Sequence, residues 1–388
     1  MGIQDLLKQL KKLYPEVVLK DVRLDVFRGH KLGIDVSIYA FKYMAIARCE
    51  AIKYLDVATT DPPHHILRSY WLEKYYLLML ALLECGITPI PVFDGPPFRL
   101  KADTKMERIM EYAKTTEKIK ELRENIAADP TNAKLVSVLK STMENHVGFQ
   151  SGDWKALEEM LRVMGLPVIM AQYEAEAVCA RLVRLGLASG VISNDGDTLA
   201  HMGGVMISDV KRSYRRDVPV HHCTCIIVSE VLRVLKMTPR QFRDFCMLLG
   251  TDYNDRIPKY GWVNALKQLR LHGTLEDVVE ALGKKLDLTS SRLSDPALRD
   301  EIRGYFEDEL DCVPKQPLVV MFPRAASPDH SLEEAVQVAG EALKATFTEI
   351  FSGYNRGRML ESAEGTIKIL SEFNQYFAGL QEFCVRSS

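Results

Sequence analysis

The chain has 388 residues, of which 47% are hydrophobic and 26% are charged, and its formal net charge is −2 at pH 7. This length suits one large domain or two closely joined domains, and the composition is that of a globular protein, which excludes wholesale disorder. No stretch reaches the roughly 18–20 apolar residues of a transmembrane helix, and the N-terminus lacks the apolar core of a signal peptide.

The first hundred residues alternate short apolar runs with helical patterns, which is typical of an α/β fold. We predict buried strands over residues 31–35 and 87–94, with a buried helix over residues 69–85 between them. The prolines of the second strand lie towards its start, where the lost backbone donors cost least.

Residues 104–126 form a long, strongly charged helical pattern, and residues 133–147 form a second one after a break at Pro130. The apolar stripe of this helical hairpin is thin, so it is poorly suited to a core. We expect it to project from the body, either as a mobile insertion or as a device that touches a substrate.

The alternation of predicted strands and helices then resumes, and it weakens after about residue 290. Thr238 and Pro239 predict a helix start, because threonine caps helices and proline fits their first position. The predicted helices cover residues 154–164, 173–185 and 239–249, the predicted strands cover 166–170, 189–195 and 204–210, and residues 327–333 are predicted as a loop.

Eight cysteines are scattered along the chain, which indicates reduced thiols in an intracellular compartment. His221, Cys223 and Cys225 would share one face of a strand and could suggest zinc. A second ligand pair at suitable spacing is absent nearby, so a plain strand with buried thiols is favoured.

The negative net charge by itself argues against binding to nucleic acid, but the chain also contains local basic clusters. One cluster comprises Lys211, Arg212, Arg215 and Arg216, and residues 99–123 form another. Each cluster alone is more typical of a solvated surface.

Several acidic residues follow the predicted strands. Asp35, Asp94 and Asp195 end three of them, and Asp197 comes two residues later. Because the carboxyl ends of parallel strands line one crevice, we expect these side chains to converge without being close in sequence.

Three further acids join this set: Glu174 and Glu176 at a helix start, and Asp252 in a turn after a helix. Two carboxylates about 4 Å apart repel by roughly 4 kcal/mol at an effective dielectric near 20, so several such pairs require cations. Hard oxygen ligands favour Mg²⁺, with Mn²⁺ as a substitute. Seven acids are too many for one octahedral ion, so we predict two ions, as in phosphodiester hydrolysis.

Six motifs in this order resemble the flap endonuclease family of structure-specific 5′ nucleases. The resemblance covers roughly residues 1–275, with a fainter likeness over 351–370. It is carried by Met1-Gly2-Ile3, Gly33-Ile34-Asp35, Val92-Phe93-Asp94-Gly95, Glu174-Ala175-Glu176-Ala177, Asp195-Gly196-Asp197 and Leu248-Leu249-Gly250-Thr251-Asp252-Tyr253.

The resemblance implies a PIN-like α/β fold with a central, mostly parallel sheet flanked by helices on both sides. Residues 1–100 and 151–275 would form the two halves of the nuclease core, and the second half would carry a helix–two-turn–helix element. Residues 101–150 would form a helical arch through which a free 5′ end is threaded, and residues 276–388 a mainly helical C-terminal region.

The resemblance also implies roles for individual residues. Asp35, Asp94, Glu174 and Glu176 would hold one ion, and Asp195, Asp197 and Asp252 the other. Lys101 and Arg108 would contact the scissile phosphate. Tyr39 would stack on a terminal base, with a core tyrosine as the alternative, and Arg48, Gly250, Lys211, Arg212, Arg215 and Arg216 are predicted as further DNA contacts.

Three departures from the family pattern indicate a divergent member, for which a viral source is one alternative. The turn at residues 258–263 keeps only the second glycine of a Gly-x-Gly-Pro-Lys pattern that grips duplex DNA through K⁺. Leu78 stands where the family uses an arginine, and the C-terminus shows no motif for docking a sliding clamp.

The predicted function is Mg²⁺-dependent hydrolysis of DNA at 5′ flaps or other single-strand/double-strand junctions, in replication or repair. The alternatives are a 5′–3′ exonuclease, a gap or junction endonuclease, an RNA nuclease, or a non-catalytic protein that binds branched DNA. We expect a monomer that binds flap, nicked or gapped DNA, has no membrane partner, and acts in the nucleus or at another site of DNA replication, including a viral one.

Overall fold

The computed structural model describes residues 2–150, 152–216, 218–288 and 291–307. These residues form two compact units. The sheet unit comprises residues 2–38, 85–111 and 169–307, and the helical unit comprises residues 39–84 and 112–168. The four-segment division expected from the sequence stays a prediction.

Within the described residues, seven strands of the sheet unit form one sheet in the order β1-β9-β6-β5-β2-β3-β4. Neighbours from β6 to β4 run parallel, whereas β9 runs antiparallel to both β6 and β1. The strands are β1 (Val18–Arg23), β2 (Lys31–Asp35), β3 (Thr88–Phe93), β4 (Ile169–Met170), β5 (Gly190–Ile192), β6 (Val205–Lys211) and β9 (His222–Ile227), and β7 (Tyr214–Arg215) pairs separately with β8 (Val218–Pro219).

Thirteen α-helices lie in the described part of the chain, and none of them is long and apolar enough to cross a bilayer. They are α1 (Leu6–Leu13), α2 (Val36–Ile52), α3 (His64–Glu84), α4 (Ala102–Ala128), α5 (Ala133–Asn145), α6 (Asp153–Val163), α7 (Ala175–Arg184), α8 (Asp197–Ala200), α9 (Val228–Leu235), α10 (Pro239–Leu249), α11 (Trp262–His272), α12 (Leu275–Gly283) and α13 (Pro296–Glu307).

The central strands end level with one another. Asp35 at the end of β2 pairs with Val92 of β3, and Ile34 pairs with Ile192 of β5. Gly33 lets α7 approach this sheet, since a Cβ there would lie 3.1 Å from Cys179 Sγ. The residues that follow β2, β3 and β5 therefore emerge at one edge.

The second half of the helical hairpin has a core of its own. Ile119, Leu122 and Ile126 of α4 pack with Leu139 and Met143 of α5. Ile52 at the end of α2 and Val57 in the loop that follows complete this cluster. The expectation that the hairpin has too little apolar surface for a core is therefore wrong for residues 119–143, because the thin stripe is concentrated there. Its projection from the body stays a prediction.

Two local predictions can be compared directly with the structure. Thr238 and Gln241 form a capping box at the start of α10, with Pro239 in the first position, as predicted. The strand predicted over residues 166–170 is shorter, because Leu166 still donates its backbone N–H to Leu161 and so completes the end of α6.

The cysteine-containing segment forms β9, a strand between β1 and β6. Cys223 and Cys225 are buried in the sheet unit, and His221 Nδ1 accepts a hydrogen bond from the Ser213 backbone. These residues behave as parts of a strand and its flanking turn, which is the interpretation favoured over zinc.

The described part of the C-terminal region is helical through α12 and α13. The predicted loop at 327–333, the likeness at 351–370 and the C-terminal residues inspected for a clamp-docking motif lie outside the described residues. Leu78, the departure on α3, is a buried residue of the helical unit.

Candidate active site

The ends of β2 and β3 supply the first two carboxylates. Asp35 is 1% exposed, and its Oδ1 accepts hydrogen bonds from Ser37 N and Oγ, which fixes it at the start of α2. Asp94 follows β3, and its Oδ1 accepts a 2.8 Å hydrogen bond from the backbone N–H of Ala175. Asp94 is therefore attached to the N-terminus of α7, an end that favours negative charge.

The start of α7 brings two glutamates to Asp94. Glu174 is the N-cap residue with an extended backbone, whereas Glu176 lies in the first helical turn. This change of backbone conformation lets side chains two residues apart point the same way. One carboxylate oxygen from each of Asp94, Glu174 and Glu176 lies within 4.8 Å of the others.

Gly95 holds the loop before α7 against the end of β3. Its N–H donates a 2.6 Å hydrogen bond to the carbonyl of Tyr173. A Cβ at this position would lie 2.3 Å from Ala171 O, so only glycine allows this approach. The residue after Asp94 thus helps to place the two glutamates.

The loop after β5 carries the next two carboxylates. Asp195 Oδ1 accepts from the Asp197 backbone at 3.2 Å, and Asp197 Oδ1 accepts from the Ile3 backbone at 2.7 Å. Asp197 is buried, and its Oδ2 has no hydrogen-bond partner among the described residues. A buried carboxylate oxygen left unsatisfied is the kind of atom that a cation would bind.

Asp252 is presented by a turn with a dense hydrogen-bond network. Thr251 Oγ1 accepts from Tyr253 N and donates to Asn254 Oδ1, and Asn254 Nδ2 donates to Met247 O. Gly250, predicted as a DNA contact, is buried at the end of α10 with φ of 91°, and its carbonyl accepts from the Gln4 backbone. Its contact with DNA stays a prediction.

Lys101 connects carboxylates of both predicted ion sites. Its Nζ donates to Glu174 Oε2 and lies 3.2 Å from Asp252 Oδ2, and its side chain is only 13% exposed. Arg108 Nη2 donates to Asp252 Oδ2 at 2.8 Å. The basic pair predicted to contact a phosphate therefore lies directly against the acids.

The acids outnumber these cations, and their pKa values reflect it. Burial raises the pKa of each of Asp35, Glu176 and Asp197 well above the usual carboxyl range, and neighbouring carboxylates are the second cause. Asp252 differs: burial acts to raise its pKa, but Lys101 and Arg108 lower it more. The electrostatic repulsion that these two cations do not relieve therefore falls on Asp35 of β2, Glu176 of α7 and Asp197 of α8.

The chemistry of this donor set fits a divalent cation. All seven side chains offer hard carboxylate oxygens, which Mg²⁺ prefers. The cluster of Asp94, Glu174 and Glu176 and the unpartnered oxygen of Asp197 provide two places where a cation would relieve repulsion or satisfy a buried atom.

Two of the predicted DNA contacts belong to the interior of the helical unit. Tyr39 is 0% exposed and packs near Tyr43, with ring centroids 6.0 Å apart. This burial favours the alternative interpretation, a core tyrosine, and stacking on a terminal base stays a prediction. Arg48 is half-buried and donates its Nε–H to Met143 O, so it connects α2 to α5.

The basic segment at residues 211–216 remains available to solvent. Lys211, Arg212, Arg215 and Arg216 are all exposed. Lys211 ends β6, which runs parallel to β5, so this segment leaves the sheet at the same edge as the loop with Asp195. Lys211 Nζ lies 3.9 Å from Asp21 Oδ1, and this ion pair between two exposed side chains is weak.

The N-terminal segment is a part of the site to which the sequence motifs attached no role. Gly2 adopts φ of 74°, and a Cβ there would lie 1.8 Å from Asp195 Oδ1. Thr104 also lies in the site without a role predicted from the sequence, since its Oγ1 donates to Asp252 O. The sequence gives little sign of a functional role for Gly2 or Thr104, because glycine and threonine occur in many structural positions.

Comparison with known proteins agrees with this geometry. Residues 1–115 match the family described as the XPG N-terminal domain, and residues 165–252 match the XPG I-region. Flap endonuclease 1 of Neurospora crassa is 32% identical over 280 residues, covering 72% of this chain and 66% of that protein. Flap endonuclease 1 of Fusarium vanettenii is 31% identical over 284 residues, covering 73% and 67%.

The chain thus spans about two thirds of the length of these curated relatives. Among solved structures, flap endonuclease-1 from Methanococcus jannaschii matches with a TM-score of 0.58 at 19% identity, covering 96% of this chain and 99% of that one. This likeness concerns the fold, and it confirms the predicted α/β fold class.

Proposed function

This chain belongs to the flap endonuclease family of structure-specific 5′ nucleases, and from that membership we propose that it hydrolyses DNA phosphodiester bonds at 5′ flaps or related junctions. The process served would be DNA replication or repair, in the nucleus or at another site of replication. The protein would act as a monomer on flap, nicked or gapped DNA; a sliding clamp would be a further partner, although the sequence shows no motif for docking one.

One observation carries this proposal. Carboxylates from five separate chain segments lie close enough to raise one another's pKa, and Lys101 contacts Glu174 of one predicted ion site and Asp252 of the other. A cluster with this excess of negative charge is unfavourable unless cations bind. A non-catalytic DNA-binding surface would gain nothing from it, because DNA is itself an anion.

We assign the seven acids to two Mg²⁺ ions. Asp35, Asp94, Glu174 and Glu176 would hold the first, and Asp195, Asp197 and Asp252 the second. When bound, such ions lower the pKa of a water molecule and stabilise the leaving oxygen of a phosphodiester.

The protein's own cations would position the substrate. Lys101 and Arg108 lie against Asp252 and could turn to a phosphate that enters between the acids, where fixed positive charge stabilises the transition state. In the reaction, the oxygen of water bonds to phosphorus and the bond from phosphorus to the 3′ oxygen breaks. The products are a 5′-phosphate and a 3′-hydroxyl.

Exposed basic groups would hold the rest of the DNA. The segment Lys211–Arg216 emerges at the edge that carries the acids and can contact phosphates without reading sequence. The turn before α11 departs from the family pattern, since Lys259 stands with φ of 69° at the position of the first glycine. No K⁺ site is assigned to this turn.

A substrate panel tests the proposal. The purified chain with Mg²⁺ would be mixed with 5′-labelled flap, nicked, gapped, bubble and plain duplex DNA, and with a flap made of RNA. We expect fastest cutting of the flap, one step inside the junction.

Other patterns would identify the alternatives. Stepwise release of mononucleotides from nicked duplex indicates a 5′–3′ exonuclease, cutting at a gap or four-way junction indicates a junction endonuclease, and a preference for RNA indicates an RNA nuclease. Tight binding of branched DNA with no product on any substrate would overturn the proposal in favour of a binding protein.

A further inference from the structure

We propose that Arg292 is a positioning residue that holds Lys101 and Asp252 in their relative places. Arg292 lies outside the two segments that match the XPG N-terminal domain and the XPG I-region, which end at residue 252. Its effect on catalysis rests on the proposed nuclease function, whereas its effect on the local structure does not.

The guanidinium of Arg292 joins the two backbone segments that carry these residues. Its Nη1 donates a 2.7 Å hydrogen bond to Leu100 O and a 2.8 Å hydrogen bond to Tyr253 O. Leu100 immediately precedes Lys101, and Tyr253 immediately follows Asp252. One nitrogen atom therefore fixes the separation of two chain segments whose side chains meet in the site.

Arginine is suited to this task because its planar guanidinium offers several donors in a rigid arrangement. While Nη1 contacts both carbonyls, Nη2 pairs with Asp103 in the first turn of α4. A lysine would offer a single nitrogen on a flexible chain, so it could keep one of the two carbonyls but would hold their spacing less firmly.

Arg292 is itself held in place. It begins a short 3₁₀ turn, Arg292–Ser294, in which Ser291 accepts a hydrogen bond from Leu293 N and Leu293 is fully buried. Helix α13 follows, and its Tyr305 stacks on Phe98 with ring centroids 4.7 Å apart. The 3₁₀ turn and α13 thus contact the chain before Lys101, at Phe98 and Leu100, and after it, at Asp103.

The consequence for the reaction follows from geometry. Lys101 and Asp252 lie 3.2 Å apart, and the carbonyl of Asp252 also accepts from Thr104. Displacing reacting groups by about 1 Å can cost on the order of 100-fold in rate. Loss of the Arg292 contacts should therefore slow the chemical step more than it weakens DNA binding.

The first test measures single-turnover cleavage of a 5′ flap by Arg292→Gln. We expect a rate about 10- to 100-fold lower, DNA affinity within about twofold, and partial rescue by Arg292→Lys. The matched control is Asp103→Asn, which removes only the negative charge beside Nη2 on a side chain that is 79% exposed and should leave the rate nearly unchanged.

A double-mutant cycle separates positioning from general destabilisation. In a Lys101→Ala background the group to be positioned is gone, so Arg292→Gln should cost much less than in the wild type. Equal fold-losses in both backgrounds, or an unchanged rate in the wild-type background, would overturn the proposal.

Hydrogen exchange supplies a readout that does not depend on nuclease activity. Arg292→Gln should speed exchange of backbone amides at residues 100–104 and 252–255 and leave those of β2 and β3 unchanged. Unchanged exchange in both segments would contradict the positioning role. A wild-type chain that cleaves nothing, together with faster exchange in the variant, would instead refute the proposed function alone.

Discussion

At the scale of single residues, the site balances buried negative charge against a few fixed cations. Lys101 is mostly buried, and although burial acts to lower its pKa, Glu176, Glu174 and Asp252 raise it, so it stays protonated. It can therefore neutralise one acid of each ion site but not all seven. The carboxylates that remain without a cationic partner are the basis of the proposed divalent cation sites.

Gly2 gives the sharpest prediction at this scale. Gly2→Ala should lower the cleavage rate by about 100-fold, because the new Cβ would lie 1.8 Å from Asp195 Oδ1 and displace that carboxylate. The measurement is single-turnover flap cleavage at saturating protein.

Gly29→Ala is the matched control for Gly2→Ala. Gly29 has a similar φ of 78°, but a Cβ there meets nothing within 4 Å. It should carry the same backbone cost of about 1–2 kcal/mol and keep its rate. Equal rates for both variants would show that Gly2 does not position Asp195.

The sequence predicts the acids more directly than their surroundings. Six of them follow a strand or open a helix, and strand ends converge, whereas Asp252 lies in a turn after α10. The predicted DNA contacts at Tyr39 and Gly250 rest on motif position alone, and such a position does not reveal that both residues are buried. Arg292 carried no signal, since its role depends on two backbone carbonyls distant in sequence.

At the scale of elements, a helix or strand could be predicted where its local sequence pattern was clear. The strand at residues 31–35 and the capped start of α10 stand out because β-type apolar runs and capping residues are local signals. Helix α2 was not predicted, because apolar residues occur all around it and give no helical periodicity. The hairpin of α4 and α5 was predicted in position, but the packing of its second half was not.

The hairpin core provides a test at this scale. Leu139 is fully buried in that core, so Leu139→Ala should destabilise the α4–α5 packing by about 2–5 kcal/mol. Hydrogen exchange of residues 119–143 would measure the loss, with the neighbouring, exposed Val138→Ala as control. Equal exchange in the two variants would show that the cluster does not stabilise the hairpin.

At the scale of the whole molecule, charge distribution matters more than net charge. The net charge of −2 conceals a concentrated acidic site and an exposed basic segment at the same sheet edge. If cations occupied the seven acids, the rest of the chain would be positive, which would suit the proposed DNA substrate.

Metal binding should therefore change the stability of the whole protein. In the metal-free protein the raised pKa values of Asp35, Glu176 and Asp197 mean that the folded state retains protons that the unfolded state releases. Their contribution to stability is thus lost as pH rises from the ordinary carboxyl range, 3.8–4.5, through the raised values.

Thermal unfolding with and without Mg²⁺ would measure this effect. At about 100-fold above Kd each ion should add about 2.7 kcal/mol of stability, and the gain should be larger at mildly alkaline than at mildly acidic pH, because the ligands must be deprotonated. A melting temperature that does not respond to Mg²⁺ at either pH would count against a preformed acidic site.

The most direct test of the metal-dependent site is cleavage of a 5′-flap DNA with Mg²⁺, after chelation, and after Mg²⁺ is restored. We predict cleavage only with Mg²⁺, and a loss of at least about 100-fold in Asp195→Asn with DNA binding retained, whereas the surface variant Glu280→Gln should behave as wild type. Equal cleavage with and without metal, or normal turnover by Asp195→Asn, would contradict the account.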